Sequence, residues 1–319
     1  MIDNLKFDLR IYALLYGVNP LRIYLHERGL ARFSTEEYQM PNNYNMDNLY
    51  MHLTNYAINK HNDNFQQNED EEDDDEGHKR SFAAILRYFE RMGHDTEKLK
   101  EGIKEIIVKT LIIGQPFLSH LYRSCQPDDL DSSMCFQVLG FDILIDSQCK
   151  PWLLEVNQSP SFSTDSPLDY LIKKHVLGDA FRLLNVSYEK KMEHLKLLRE
   201  EAEKRIYQGR TTKLNLSNQE RKRLRDQKLK ERADFERGRE GGYELIYPVP
   251  DTVPGAAEKN RKYESFIQKA NDLWDEFTTG RKAITKDASG AQGKRNLNMN
   301  TQMSSGGTKI QLGNGMRSR

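Results

Sequence analysis

QVLGFDILID (137–146), SQCK (147–150) and PWLLEVN (151–157) are two β-rich runs around a short polar connection. That arrangement reads as a hairpin. If Asp146 faces Pro151, pairing continues from 144 with 153 to 142 with 155, which sets Asp142 directly across from Glu155. Side chains alternate along a strand, so Asn157 joins that pair while Ile143, Ile145, Leu154 and Val156 cover the other face. Two opposed carboxylates repel each other, and burying them without a cation costs on the order of several kcal/mol. Mg²⁺ takes oxygen ligands and typically combines one or two carboxylates with substrate phosphates. Spacing alone leaves two readings open, a Mg²⁺ site for a nucleoside triphosphate or an exposed hairpin with its acids in water. A register slip of one residue exchanges the faces.

Outward from the hairpin, KFDLRIYALLY (6–16) alternates, with Lys6, Asp8 and Arg10 on one face and Phe7, Leu9, Ile11 and Ala13 on the other. LRIYL (21–25) and LARFS (30–34) flank HERG, with Gly29 suited to a turn. That reading predicts a second hairpin, which brings Arg22 close to Arg32. Paired guanidiniums attract phosphate or carboxylate, although a surface strand with solvated charges has the same pattern. HLTNYAINK (52–60) supplies Thr54 and Asn55, which can bond a nucleotide or cap a turn. Residues 82–124 carry a helical apolar period. Between these lies NEDEEDDDEG (68–77), whose adjacent carboxylates predict a solvated, disordered loop.

Residues 165–184 predict a helix entered at Ser166-Pro167. A long basic helical stretch follows over 188–240, interrupted at Gly209 and ended by Gly241-Gly242. Residues 243–250 are extended, and 258–278 form an amphipathic helix through Tyr263, Phe266, Ile267, Ala270, Leu273, Trp274 and Phe277. The tail from 283 to 319, rich in Gly, Ser, Asn and Gln, is expected to be disordered.

Of 319 residues, 37% are apolar and 30% charged, against about 45–50% and about 25% in ordinary domains. Mean hydropathy is −0.80. One packed segment with solvated helices is therefore expected. Cys125, Cys135 and Cys149 are too few and scattered for a disulfide framework or zinc site. That fits a reducing compartment. No apolar run reaches the roughly 18 residues of a membrane span, and no signal-peptide core is present. The eight histidines show no ligand spacing. Neither GxxxxGK[ST] nor GxGxxG occurs. The basic stretch lacks the aromatic platform that single-stranded nucleic acid uses. Interleaved Glu and Asp leave it open between a docking helix and a solvated one.

KFDLRIY, PLRIYL, GLARF, HLTNYAINKH, GFDILID, WLLEVNQSPSF and TDSPLD occur in this order and together resemble the tubulin tyrosine ligase-like family over residues 2–186. GGYELIYP resembles a segment downstream of the core in its polyglutamylase branch. The resemblance implies an α/β (α+β) fold, a partial ATP-grasp fold with a mainly antiparallel sheet, then long basic helices and a disordered tail. On this basis residues 1–186 are the C-terminal portion of the catalytic domain. Residues 187–242 are a basic helical microtubule-binding extension, and 243–282 an extended segment plus helix. It implies ATP as co-substrate, with Lys6, Phe7, Asp8, Thr54 and Asn55 lining its site, and Mg²⁺ on Asp142, Glu155 and Asn157. Arg10 and Arg22, with Glu155, serve the reacting centre. Arg32, Tyr56 and Lys79 hold free L-glutamate, and Gln158, where many relatives have His, meets the protein acceptor. The implied partner is tubulin, through its acidic tails. A monomer in cytoplasm, cytoskeleton, cilium or basal body is expected, with no nucleic-acid or membrane partner. Family members carry an upstream half with lysines over the phosphates, which these residues do not include. The alternatives are an inactive microtubule-binding fragment, or a ligase of glycine or tyrosine.

Overall fold

The computed structural model describes residues 1–70, 74–184, 188–208 and 217–280. Gly209, the tail over 283–319 and residues 71–73 of the acidic run lie outside the described residues.

A mainly antiparallel sheet organises the chain. β1 (Leu5–Val18) and β2 (Leu21–Glu37) turn tightly at Asn19-Pro20 and pair along most of their length. β4 (Gln137–Ile145) adds to the other side of β1, and β5 (Pro151–Asn157) forms the edge beyond it. On the outer side of β2, β3 (Lys79–Ser81) covers residues 30–32, and β6 (Tyr243–Tyr247) covers residues 23–26.

The helices are α1 (Leu49–His52), α2 (Tyr56–Asn59), α3 (Phe82–Arg91), α4 (Thr96–Cys125), α5 (Pro167–Leu183), α6 (Tyr188–Gln208), α7 (Asn218–Glu236) and α8 (Ala256–Thr279). The predicted helix over 82–124 is therefore two helices. Gly93 breaks it, and Asp95 restarts it by accepting a bond from Lys98 N. Among the described residues, no helix is long and apolar enough to cross a membrane.

Alternation along β1 divides the packing in two. Phe7, Leu9, Ile11 and Ala13 join α3, α4 and α8 on one face of the sheet. Tyr12 and Leu14 join Leu168, Ile172, Val176 and Ala180 of α5 on the other. Asp8 and Arg10 share the α5 face, so the polar groove sits beside that smaller core. Ile246 and Tyr247 of β6 and Tyr263 of α8 belong to the larger core, while Tyr243 of β6 joins the smaller one. The extended segment and the helix after it are thus packed against the sheet over Tyr243–Tyr247 and Tyr263.

Four expectations are corrected. HERG is not a turn: β2 runs straight through it, spending His26, Glu27 and Arg28 where β1 spends only Tyr12. This is a strand bulge. Gly29 is there for space, since a Cβ would lie 2.8 Å from Arg10 O. The β4–β5 hairpin pairs Ile145, not Asp146, with Pro151, and a bulge at Leu154 restores the register so that Asp142 still faces Glu155. Asp146 instead holds the loop, accepting from Gln148 N, Lys150 N and Trp152 Nε1. Leu154 and Val156 do not cover a core; both are exposed on the edge strand. In α8, Leu273 and Phe277 are exposed as well, while Trp274 rests against Phe117.

The basic stretch is not uniformly free. Arg232 and Glu236 of α7 are buried against the β1–β2 end of the sheet. Arg232 lies 3.8 Å over the Tyr16 ring. The acidic run is anchored at its ends, where Asn68 donates to Glu76 O and Asp74 accepts from Ser81 and Arg87.

Candidate active site

The register places two rows of charged side chains on one face. Arg10, Asp142 and Glu155 follow one another across β1, β4 and β5, with Asp142 next to each of the other two. Asp8, Arg32 and Lys79 are neighbours across β1, β2 and β3. Asp8, Arg32, Asp142 and Glu155 of these rows line an open groove of about 210 Å³, closed on its other side by Lys6 and residues 52–55 and flanked by Leu144 and Leu154.

Asp142 is the hub. Both its oxygens bond to Arg10, through Nε to Oδ1 and through a second nitrogen at 3.0 Å to Oδ2. Arg32 reaches the same Oδ2 at 2.8 Å and also grips Asp8, with Nε 3.0 Å from Oδ1. Asn157 Nδ2 spans the two carboxylates, 3.3 Å from Asp142 and 3.0 Å from Glu155. Burial alone raises the Asp142 carboxyl. The Arg10 hydrogen bond and the charges of Arg32 and Arg10 outweigh it and hold the group below its ordinary range. Burial disfavours the charged Arg32 as well, but its bond to Asp8 and the charges of Asp8 and Asp142 keep it firmly protonated.

Gly140 makes this packing feasible. A Cβ there would sit 3.0 Å from both Arg10 Cδ and Pro160 Cβ, so the guanidinium arm lies across a bare backbone. Lys6 Nζ is tied to His52 O at 2.7 Å, which leads the chain into Thr54 and Asn55. Asn55 occupies the N-cap of α2 but makes no side-chain capping bond.

Among the described residues no three His, Cys, Asp or Glu side chains gather to hold a metal by themselves. The donor set nevertheless suits Mg²⁺, which needs few protein ligands when substrate oxygens complete its shell. Oδ2 of Asp142 is crowded by Arg10, Arg32 and Asn157, whereas Oδ1 receives Arg10 Nε and keeps lone-pair capacity. Glu155 is exposed beside it.

Two expected site residues lie elsewhere. Phe7 packs in the larger core, stacked on Phe33 with ring centroids 5.2 Å apart, because it alternates with Lys6 and Asp8. Arg22 is at the far end of β2 from Arg32, roughly 30 Å along the strand at about 3.3 Å per residue. It bonds Tyr24 and Glu236 of α7. Gln158 follows Asn157, exposed, with its carbonyl accepting from Gln137 Nε2 at 2.6 Å.

Lys79 stands 3.5 Å over the Tyr56 ring and forms an ion pair with Asp169. Asp169, fully buried, and Lys173 one helical turn later were not singled out from the sequence. Asp169 reads there as an ordinary first-turn acid following the Ser166 cap.

The tubulin-tyrosine ligase family model matches residues 1–194. A probable beta-tubulin polyglutamylase of Tetrahymena thermophila is 44% identical over 278 residues, covering 87% of this chain and 23% of that protein. The mouse tubulin polyglutamylase TTLL7 is 40% identical over 303 residues, 89% of this chain and 32% of its own length. The human tubulin polyglutamylase TTLL6 is 40% identical over 282 residues, 88% and 30% respectively. The chain thus spans between about a quarter and a third of these relatives. With the matched residues carrying the whole of the groove, this chain belongs to the tubulin-tyrosine ligase family.

Proposed function

We infer that this chain carries the metal-side wall of an ATP-dependent ligase that joins free glutamate to glutamate side chains of tubulin tails. The observation that carries the reading is the row Arg10–Asp142–Glu155 with Asn157 bridging the acids. The similarity to proteins named tubulin polyglutamylases supports the substrate. The groove is smaller than the roughly 300–1,000 Å³ of sites that enclose a whole small molecule. It suits the phosphate end of a nucleotide.

In this reading Lys6, Thr54 and Asn55 bind ATP, and Asp142, Glu155 and Asn157 hold Mg²⁺. Bound Mg²⁺ supplies charge neutralisation for the β- and γ-phosphates. An oxygen of the acceptor carboxylate attacks the γ-phosphorus and ADP leaves, giving an acyl phosphate. The amine of glutamate then attacks the acyl carbon, phosphate departs, and the nitrogen loses a proton to leave an isopeptide bond. Arg10, fixed by Asp142, stands ready for the charge that develops on the transferring group. Arg32, Tyr56 and Lys79 hold the amino acid, and Gln158 faces the acceptor. The exposed basic residues of α7 favour the acidic tubulin surface by screened attraction.

Full-length protein carrying Glu155→Gln should lose ATP-dependent incorporation of labelled glutamate by at least about a hundredfold. Incorporation within about twofold of wild type removes Glu155 from the site.

A further inference from the structure

Asp169 is fully buried at the start of α5 and faces two lysines. One oxygen pairs with Lys79. The other lies 3.3 Å from Lys173 Nζ without an aligned hydrogen bond, and no other donor reaches it. Lys173 spends a proton on Ser163 O in the exposed loop ahead of α5. Lys79 and Lys173 are 6% and 7% exposed, so neither is solvated as a surface lysine is. One carboxylate cannot neutralise two ammonium groups, and buried charge is held only where it is paired. Two buried ammonium groups thus meet one buried carboxylate next to a half-buried tyrosine ring, and the exposed Asp165 is the other acid whose charge reaches Lys173.

Its position relative to the groove says which anion fits. Lys79 is directly opposite Arg32 in the β3–β2 pair, one strand farther from Asp142 and Glu155. Neighbouring strands are about 4.8 Å apart, a reach comparable to that between the two carboxylates of glutamate. An amino acid whose amine points toward the reacting centre has its α-carboxylate by Arg32. Its side-chain carboxylate then falls one strand farther out.

We propose that Asp169 is a positioning residue that sets Lys79 and Lys173 side by side, and that these two lysines together seat the side-chain carboxylate of an amino dicarboxylic acid. The proposal rests on the ligase reading above and adds Lys173 and Asp169 to it. Lys173 supplies the second contact to the incoming carboxylate, and Asp169 prevents both ammonium groups from turning to solvent.

The test is steady-state kinetics of the full-length protein with glutamate and with glutamine, which differs in having a carboxamide in place of that carboxylate. Lys173→Met leaves Asp169 and Lys79 as a one-to-one pair and so preserves the packing. It should raise KM for glutamate on the order of tenfold, the worth of a charged hydrogen bond. It should leave KM for ATP within about twofold, and narrow the glutamate-to-glutamine preference by a similar factor. Lys173→Arg should restore part of it, and Asp169→Asn should act in the same direction as Lys173→Met. Unchanged KM for glutamate, equal losses on both amino acids, or a fall in kcat alone would overturn the proposal. A wild-type protein that joins no amino acid defeats the ligase reading and this proposal with it. An active wild type with indifferent variants defeats this proposal alone.

Discussion

Replacing Arg232 with alanine should destabilise the protein by about 3–8 kcal/mol, because two buried carbonyls lose their donor and a cation–π contact is lost. The side chain donates through Nε to Glu236 at 2.8 Å, through NH1 to Asp131 O at 2.9 Å and through NH2 to Tyr16 O, with its plane over the Tyr16 ring. Glu236 would not be orphaned, because Arg22 and the Tyr24 hydroxyl at 2.6 Å still bond it. The loss falls on two buried carbonyls, at about 1–3 kcal/mol each, and on the ring contact, at about 1–2 kcal/mol. The Arg232 side chain is only 6% exposed, so solvent does not discount these contributions. Urea unfolding followed by circular dichroism measures the difference. Arg221→Ala, on the exposed face of the same helix, serves as the control within about 0.5 kcal/mol. A change below about 1 kcal/mol for Arg232→Ala would show that α7 is not held as described, and that its basic residues act as one solvated set.

Gly140→Ala should cost about 1–3 kcal/mol through the Arg10 and Pro160 contacts. It should also lower kcat/KM for ligation by up to about a hundredfold through displacement of Arg10; equal activity would separate Arg10 from the chemistry. Asp142 has a folded pKa below its ordinary 3.8, because its arginines outweigh burial. The stability it contributes is therefore present above that value and lost as pH falls through the folded pKa. Wild type should lose more stability than Asp142→Asn on going from about pH 5 to about pH 3, and parallel acid limbs in thermal melts would contradict this. Arg221→Glu with Lys222→Glu should weaken co-sedimentation with microtubules most at low salt while leaving the urea midpoint unchanged, since both side chains are exposed. Salt-independent binding in wild type and variant alike would exclude electrostatic docking.

The Asp142–Glu155 pairing was legible because a hairpin is local and its faces alternate with a fixed period. A second, compensating irregularity at Leu154 was not legible, yet it left that pair in place. HERG misled for a physical reason. Gly29 looks like a turn residue but is selected by the backbone of β1 beneath it, while the real turn lay at Asn19-Pro20. That reading set Arg22 beside Arg32; in the molecule Arg22 bonds Glu236 of α7. Phe7 shows the opposite case, where alternation had already assigned it to the core. Asp169 could not be found from local pattern, because its significance comes from a lysine in another strand.

The hub of the groove joins residues far apart in the polypeptide. Arg10 and Asp142 are 132 positions apart, and Lys79 and Asp169 are 90. During synthesis at about 5–20 residues per second, Asp142 follows Arg10 by about 7–26 s. Throughout that interval β1 and β2 can pair, but the flank of β1 that β4 will cover stays open, and the two arginines have only Asp8 as an acidic partner from β1. The groove is consequently a late product of folding. Anything that delays the arrival of β4 lengthens the time during which the open edge of the central strand is exposed to other chains.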